Sequence, residues 1–416
     1  MSWLTAVEAL LVLQVRPQTL YANVSRKKIR AKPDPKDSRR SLYHEADVTK
    51  MARQHGGQRK AAAVAAATIH WGDPILPSAV STVVEGRLYY RGRDVAVLAE
   101  GMSLEEVAEL LWGVEGAGRA GVFVRVSEAR APKLSESLDP EFSNSASPLQ
   151  RAFVALGLRA ATDLASYGRS PPVLQKDAAS LLITLADALL GEQPAPPTRG
   201  GGRSGRVQRA SSGSPAPAPL HERVALSWRR RGAADIIRRA LVLLADHELN
   251  ASTFATRVAV STGAPLAAGV LSGLSALTGP LHGRASAGVL QLVASVGRVG
   301  ADATVREWVS QGRHVSGFGH PLYPMGDPRA KALCRQFPLP DEYAELCDTV
   351  EHEIGEQPNI DFALSALTRV YGLPREAPLI LFALGRCVGW LAHALEQVTT
   401  GQPIRPRAQY VGPPVS

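Results

Sequence analysis

From Val258 to Leu281 the chain runs without a single charged side chain, and this run limits the possible folds most sharply. The stretch is long enough to cross a hydrocarbon layer as a helix. Two prolines, Pro265 and Pro280, and many Gly, Ser and Thr residues interrupt it. Proline removes a backbone N–H and clashes with the preceding turn, so one continuous helix is disfavoured. The better reading is two buried helices joined by a turn, inside a protein large enough to cover them. The chain has that size, with 416 residues, 45% of them apolar. Aromatics are few while Ala, Leu, Gly and Val dominate, a mix that suits packed helices over a β-sandwich. Two or three domains are expected.

Charge is unevenly placed. Residues 1–60 hold 13 Lys and Arg against 5 Asp and Glu, a net +8, which leaves +1 for the rest of a chain whose total is +9. A basic segment before a near-neutral body suggests a module with an anionic partner, against the plainer reading of a solvated tail. Glu8 interrupts the first apolar stretch and no basic run precedes it, so the start does not read as a signal peptide and a cytoplasmic setting is expected. Cys334, Cys347 and Cys387 show no CxxC spacing and read as reduced thiols, neither a disulfide framework nor a zinc motif.

Within residues 1–55, Thr5 and Glu8 fit a capping box, and Ala9, Leu10 and Leu13 follow at helical spacing. Pro17 suits the first turn of a second helix with Leu20, Tyr21 and Val24 inward. Pro33 to Asp37 reads as a loop between basic residues, and Tyr43 and Val48 return to the core. In "LTAVEALLVLQVRPQTLYANVSRKKIR" and "SRRSLYHEADVTKMA" the segment resembles the winged helix-turn-helix of MerR-like and excisionase-like regulators. That resemblance implies DNA contacts by Arg16, Gln18, Thr19, Arg39 and Arg40. Gln14 and Lys27 stand where that family usually has glycine.

Residues 56–70 are Ala-rich and read as a linker, and residues 71–190 look helical, with Ser103 and Glu106 as a second capping box. Residues 191–220 are Pro, Gly, Ser and Arg-rich, cannot bury a face, and read as a surface insertion. Gly116, Gly118 and Gly121 match GxGxxG, but a helical pattern precedes them and a β-like apolar run, Val122 to Val126, follows. That order is the reverse of a dinucleotide fingerprint, and no Walker-type loop is present.

Polar residues set in apolar surroundings cluster in the C-terminal half: "LLADHELNASTFATR", "GPLHGRAS", "VSGFGHPLYPMGDPRA", "PNIDFAL" and "LFALGRCVGWLAHALEQ". Singly, His247, His282 and His320 could each be a core, capping or turn histidine. His282 and His320 sit beside glycines that permit close approach, and Asp361 lies between Ile360 and Phe362, which favours a raised carboxyl pKa.

Together with "VEGRLYYRGRDVAVLAEGMSLEEVAELLWG", these segments resemble the citrate synthase family, from about Gly72 to Gly412. The resemblance implies an all-α fold. A large domain would span 71–283 and 387–416, and a small domain 284–386, with the helix-turn-helix module ahead of them. It implies carbon–carbon bond formation between an acyl-CoA and a 2-oxo acid. Asp361 would be the base at the acyl methyl, His282 the donor to the thioester oxygen, and His320 the donor to the ketone. His247, Arg329 and Arg386 would bind oxaloacetate, with Arg405 reaching the neighbouring subunit of a homodimer. The backbone at Val315, Gly317 and Gly319 would hold the CoA adenine. No metal or cofactor beyond the acyl-CoA substrate is implied. Arg284-Ala285-Ser286 departs from the small residue and Ala-Asn usual after the first histidine, and Leu322 and Pro324 depart in the second signature. Propionyl-CoA in place of acetyl-CoA (a 2-methylcitrate synthase), or a DNA-binding metabolite sensor with a synthase-like body, are the alternative readings.

Overall fold

The computed structural model describes residues 3–13, 20, 23–24, 28–34, 37–57, 76–114, 121–123, 145–191, 218–279, 282–283, 285–311, 313–408, 410 and 412. They fall into two compact units, Ser78–Ile404 and a smaller one made of Met1–Pro77 with Arg405–Ser416.

In the smaller unit the strands Trp3–Leu4, Asp37–His44 and Ala31–Asp34 form an antiparallel sheet with the longest strand in the middle. Thr5 and Glu8 form the expected capping box at the helix Ala6–Leu13: Glu8 N–H donates to Thr5 Oγ1 (3.3 Å) and Thr5 N–H to Glu8 Oε2 (2.7 Å). Ala9, Leu13, Leu20, Ile29, Tyr43, Val48 and Met51 make a small core of their own. The stretch expected as a loop from Pro33 narrows to a hairpin turn, because cross-strand pairing continues to Asp34 and resumes at Asp37. The helix Glu45–Gly57 follows and takes up the first residues of the expected linker. Of the residues expected to contact DNA, Arg16, Gln18 and Thr19 lie outside the described residues, while Arg39 and Arg40 fall on the strand Asp37–His44.

The larger unit opens with a three-stranded meander, Ser81–Val84, Arg87–Tyr90 and Arg93–Asp94. Its two-residue turns, Glu85-Gly86 and Arg91-Gly92, hold both residues at positive φ, the geometry that matches strand twist in a tight hairpin. The two small sheets correct the all-α expectation: the fold is mostly helical. The helix Leu104–Trp112 starts at the expected capping box, with Ser103 and Glu106 each satisfying the other's backbone N–H. Phe123 packs on Trp112 with ring centroids 5.6 Å apart, and Gly121–Phe123 is helical. The β-like reading of that run fails because it is a short core segment, not an alternating strand face; residues 124–126 lie outside the described residues. So does most of the expected insertion, residues 192–217.

The uncharged run becomes the tail of helix Ala251–Ser261 and the helix Leu266–Leu277, joined by a turn as expected. Both pack on the long helix Ala377–Thr400, which is apolar enough to pass for a membrane span but is 89% buried in its most apolar window. Gly273 permits this packing: a Cβ there would lie 2.5 Å from Thr256 Oγ1 and 2.8 Å from the Trp390 ring. The helices Ala285–Val299, Ala301–Ser310, Asp341–Ile354 and Ile360–Tyr371 pack chiefly on one another.

Candidate active site

His247 sits in the turn between the helices Ala234–Leu244 and Ala251–Ser261. Asn250 caps the second helix, its Oδ1 accepting from Ser252 and Thr253 N–H, so the turn before it is held in place. His247 is buried, and its Nε2 lies 2.8 Å from the Tyr323 hydroxyl. Its ring meets His320 edge-on at 4.9 Å. Burial, then the positive charge of Arg329 and Arg386, holds its pKa well below the usual histidine range.

His320 accepts the Leu322 N–H on Nδ1 at 3.1 Å. A neutral ring with Nδ1 as acceptor carries its proton on Nε2. Burial first and Arg329 second push its pKa down to about 4, so the ring is neutral near pH 7 and can serve as a donor without carrying charge.

His282 lies between the helices Leu266–Leu277 and Ala285–Val299, 2.9 Å from Ser252 Oγ through Nε2. Its pKa is likewise pushed down to about 4, by burial and then by Arg386. Ser252 also lies 2.7 Å from Asn250 Oδ1 and accepts from Trp390 Nε1 at 3.1 Å. Its single hydroxyl proton can serve either Asn250 or His282. Asn250 Oδ1 is already satisfied by two backbone donors, so turning the proton to His282 Nε2 strands nothing. That turn leaves His282 with its own proton on Nδ1.

Arg329 is buried and paired bidentately with Asp327, Nε to Oδ1 at 3.0 Å and Nη2 to Oδ2 at 2.8 Å. Burial opposes its charge, but Asp327 more than compensates, and its pKa is raised. Asp327 Oδ2 also accepts the Ile360 N–H at 3.1 Å, which ties this pair to the start of the helix carrying Asp361. Asp361 takes the Ser286 backbone N–H. Its Oδ1 is shut off from solvent with no partner among the described residues. Burial, stronger than the opposing pull of Arg329, pushes its pKa up to about 6. Arg386, on the helix Ala377–Thr400, donates Nε–H to the Leu244 carbonyl at 3.0 Å and stacks 4.9 Å from the Phe382 ring centroid. Its Nη2 is buried without a partner among the described residues, and burial lowers its pKa to about 10, still charged at neutral pH.

Val315 is buried, and Gly317 (φ 88°) and Gly319 (φ 69°) adopt left-handed backbone that glycine tolerates. Gly319 N–H donates to Gln357 O (2.9 Å) and Asn359 N–H to Gly317 O (2.8 Å), stitching this segment to the lead-in of the Asp361 helix. Arg405 is exposed and belongs to the smaller unit. Sequence reasoning gave no role to Ser252, Tyr323, Asp246 or Asp327. All four lie within the polar C-terminal segments, Asp246 and Ser252 in residues 243–257 and Tyr323 and Asp327 in residues 315–330. Among the described residues no group of three His, Cys, Asp or Glu is placed to hold a metal.

A partly unpartnered carboxylate with a raised pKa and one oxygen shut off from solvent, neutral histidines and two buried guanidiniums suit the chemistry of proton abstraction next to a carbonyl with an anionic co-substrate. Comparison with known proteins agrees. The family model described as "Citrate synthase, C-terminal domain" matches residues 70–407, so residues 1–55 lie outside the match. The chain is 28% identical over 359 residues to citrate synthase 2 of Bacillus subtilis (strain 168), spanning 81% of this chain and 93% of that one. A 39% identical match to a Haloferax volcanii citrate synthase covers 43% of this chain and 50% of that one. The crystal structure of citrate synthase from Thermotoga maritima superposes with TM-score 0.65 at 26% identity, over 82% of this chain and 94% of that one. A ternary complex of Thermoplasma acidophilum citrate synthase with carboxymethyl coenzyme A and oxaloacetate shares the fold, at TM-score 0.63 and 23% identity, over 83% and 96%.

Proposed function

The chain belongs to the citrate synthase family of acyltransferases, and we propose that it condenses acetyl-CoA with oxaloacetate and hydrolyses the citryl thioester to citrate and CoA. The observation that carries this is Asp361, a carboxylate whose Oδ1 has no partner among the described residues, with Arg329 and Arg386 close enough to act on its charge.

Asp361 takes a proton from the acyl methyl group. A thioester α-proton is weakly acidic, so charge developing on the thioester oxygen needs a donor. His282 supplies it from Nδ1 once the Ser252 hydroxyl turns to its Nε2. The new carbanion attacks the ketone carbon of oxaloacetate while His320 Nε2–H polarises and then protonates the ketone oxygen. Water next cleaves the thioester, giving a carboxylate and the CoA thiol. Arg329, Arg386 and His247 hold the two carboxylates of oxaloacetate, for which planar guanidinium forks are suited. The backbone around Val315, Gly317 and Gly319 receives the CoA adenine. Closure of a lobe at 284–386 on a lobe at 71–283 with 387–416 would exclude water from the enolate. The working unit in this reading is a cytoplasmic homodimer in which Arg405 serves the neighbouring site.

The test is steady-state release of CoA thiol with oxaloacetate, comparing acetyl-CoA and propionyl-CoA. The expected result is oxaloacetate-dependent release that favours acetyl-CoA in kcat/KM. Preference for propionyl-CoA would reassign the acyl group, and no release with either from folded protein would overturn the proposal.

The basic segment 1–55 supports a separate reading, a DNA-contacting module using Arg16, Gln18, Thr19, Arg39 and Arg40, on the strength of its net charge of +6, 11 Lys and Arg against 5 Asp and Glu. Fluorescence polarisation with duplex DNA across a salt series tests it. Binding that weakens steeply with salt is expected, and absent or salt-insensitive binding rejects it.

A further inference from the structure

We propose that Asp246 is a positioning residue for the oxaloacetate side of the site, fixing His247 through the backbone, and that a buried relay through His393, Arg257 and Glu396 holds it there. This inference rests on the function proposed above.

The anchoring begins at the hairpin. Ser81 donates its hydroxyl to Asp246 Oδ2 and accepts the Glu248 N–H at 3.1 Å, so one side chain grips both neighbours of His247. Tyr90 OH accepts the Asp246 N–H at 2.9 Å, and Val83 N–H donates to Glu248 Oε1 at 2.7 Å. Glu248 itself is held at φ 51°, a conformation a non-glycine residue adopts only where its surroundings enforce it.

Behind Asp246 the relay has one consistent proton arrangement. Arg257 has only donors, and its Nη1 lies 3.0 Å from His393 Nδ1. His393 Nδ1 is therefore an acceptor, its proton sits on Nε2, and Nε2–H faces Asp246 Oδ2 at 3.3 Å. Arg257 is fixed in turn by Glu396 Oε2 (2.6 Å) and Gln397 Oε1 (3.0 Å), and Glu396 Oε1 accepts the Ala79 N–H (2.7 Å). Asp246 and His393 are fully buried and Arg257 nearly so. Such a chain of buried polar groups is costly unless each link is made. Gly389 makes room for it, since a Cβ there would collide with Asp246 Oδ1 and the Ala245 carbonyl. The carboxylate also bears on Arg386. Burial works against the guanidinium charge, and Asp246 is the largest influence restoring it.

None of these groups would touch the reacting atoms, so the relay should act on substrate holding and not on the chemical step. The experiment uses the full chain with Asp246→Asn, His393→Leu and His393→Gln, read by thiol-release kinetics and by calorimetric titration with oxaloacetate. Loss of a buried charged hydrogen-bond partner predicts that Asp246→Asn and His393→Leu raise KM and Kd for oxaloacetate about tenfold or more, with KM for acyl-CoA within about twofold. His393→Gln offers a donor toward Asp246 and an acceptor toward Arg257, and should restore oxaloacetate binding to within about threefold of wild type. If Asp246→Asn does not fold, Ser81→Ala tests the same anchor and should raise oxaloacetate KM about threefold. Parallel rises for both substrates, or unchanged oxaloacetate binding in the variants, would overturn the inference and leave a purely structural relay. A wild type that neither turns over nor binds oxaloacetate would overturn the proposed function, and this inference with it.

Discussion

Replacing Asp361 by Asn should make the protein more stable at neutral pH while abolishing condensation. The carboxyl pKa moves from 3.8 up to about 6, chiefly because burial disfavours the charged form. The sign follows from proton linkage. Below pH 3.8 the group is protonated in both native and unfolded chains and costs nothing. Between 3.8 and 6 the unfolded chain releases its proton while the native one keeps it, so stability falls as pH rises. Above 6 the full cost applies. A shift of that size corresponds to about 3 kcal/mol, reduced toward about 2 kcal/mol because the residue as a whole keeps partial solvent contact. Asn keeps the shape and removes the charge. Urea unfolding of both proteins at pH 5 and pH 8 is the assay. The advantage of Asp361→Asn should grow by about 1 kcal/mol between those pH values, because the wild type bears only part of the cost at pH 5. Equal stability at both, or a variant less stable at pH 8, would refute burial as the cause of the raised pKa. Near wild-type turnover would refute Asp361 as the base.

The pH profile of kcat/KM should show one acidic limb with a midpoint near 6 and unit slope, as Asp361 takes up a proton. His282 and His320, held near 4 by burial, should add no second limb above pH 5. Asp361→Ala should still bind oxaloacetate by calorimetry, since the base is not among its proposed ligands. Gly273→Ala should lower stability by about 1–3 kcal/mol in denaturant unfolding, because the added methyl meets Thr256 Oγ1 at 2.5 Å and the Trp390 ring at 2.8 Å. Ser103→Ala should cost about 1 kcal/mol in the same assay by removing the hydroxyl half of the capping box.

Features that depend on neighbours in sequence were readable before the fold was seen. The capping boxes at Thr5 and Ser103 each satisfy donors three residues away. The uncharged run resolved as a helix pair because Pro265 interrupts it. Asp361 was singled out from its apolar neighbours, and burial raises its pKa as that setting suggested. What could not be read depends on distant partners. Asp246 and His393 stand 147 positions apart, and Arg257 and Gln397 140 apart. No local pattern distinguishes them from an exposed acid or a helical histidine. The run after Gly121 was misjudged for the same reason. Val122 and Phe123 have strand-forming side chains, but packing against Trp112 and the Glu109 carboxylate, which accepts the Val122 N–H at 2.8 Å, decides their conformation.

The places where local rules are broken support the same assignment. Glu85 and Arg91 take positive φ in tight hairpin turns, where the geometry demands it. Glu248 has no such turn to explain it and lies beside His247. Buried polar atoms without partners among the described residues include Asp361 Oδ1, Arg386 Nη2 and Asp246 Oδ1, two in the candidate site and one at its support. An unpaired buried acceptor or donor costs on the order of 1–3 kcal/mol, more when charged. Such features persist where the surrounding structure over-determines them. Opposite charges left open in one site would cancel if they paired with each other. Asp361 and Arg386 are instead held by separate frameworks, the Asn359-capped helix for one and the Leu244 carbonyl for the other. In the proposed reaction, keeping them apart in that way leaves the carboxylate for a carbon acid and the guanidinium for a substrate carboxylate, which is what a condensation between an acyl thioester and a dicarboxylic 2-oxo acid requires of them.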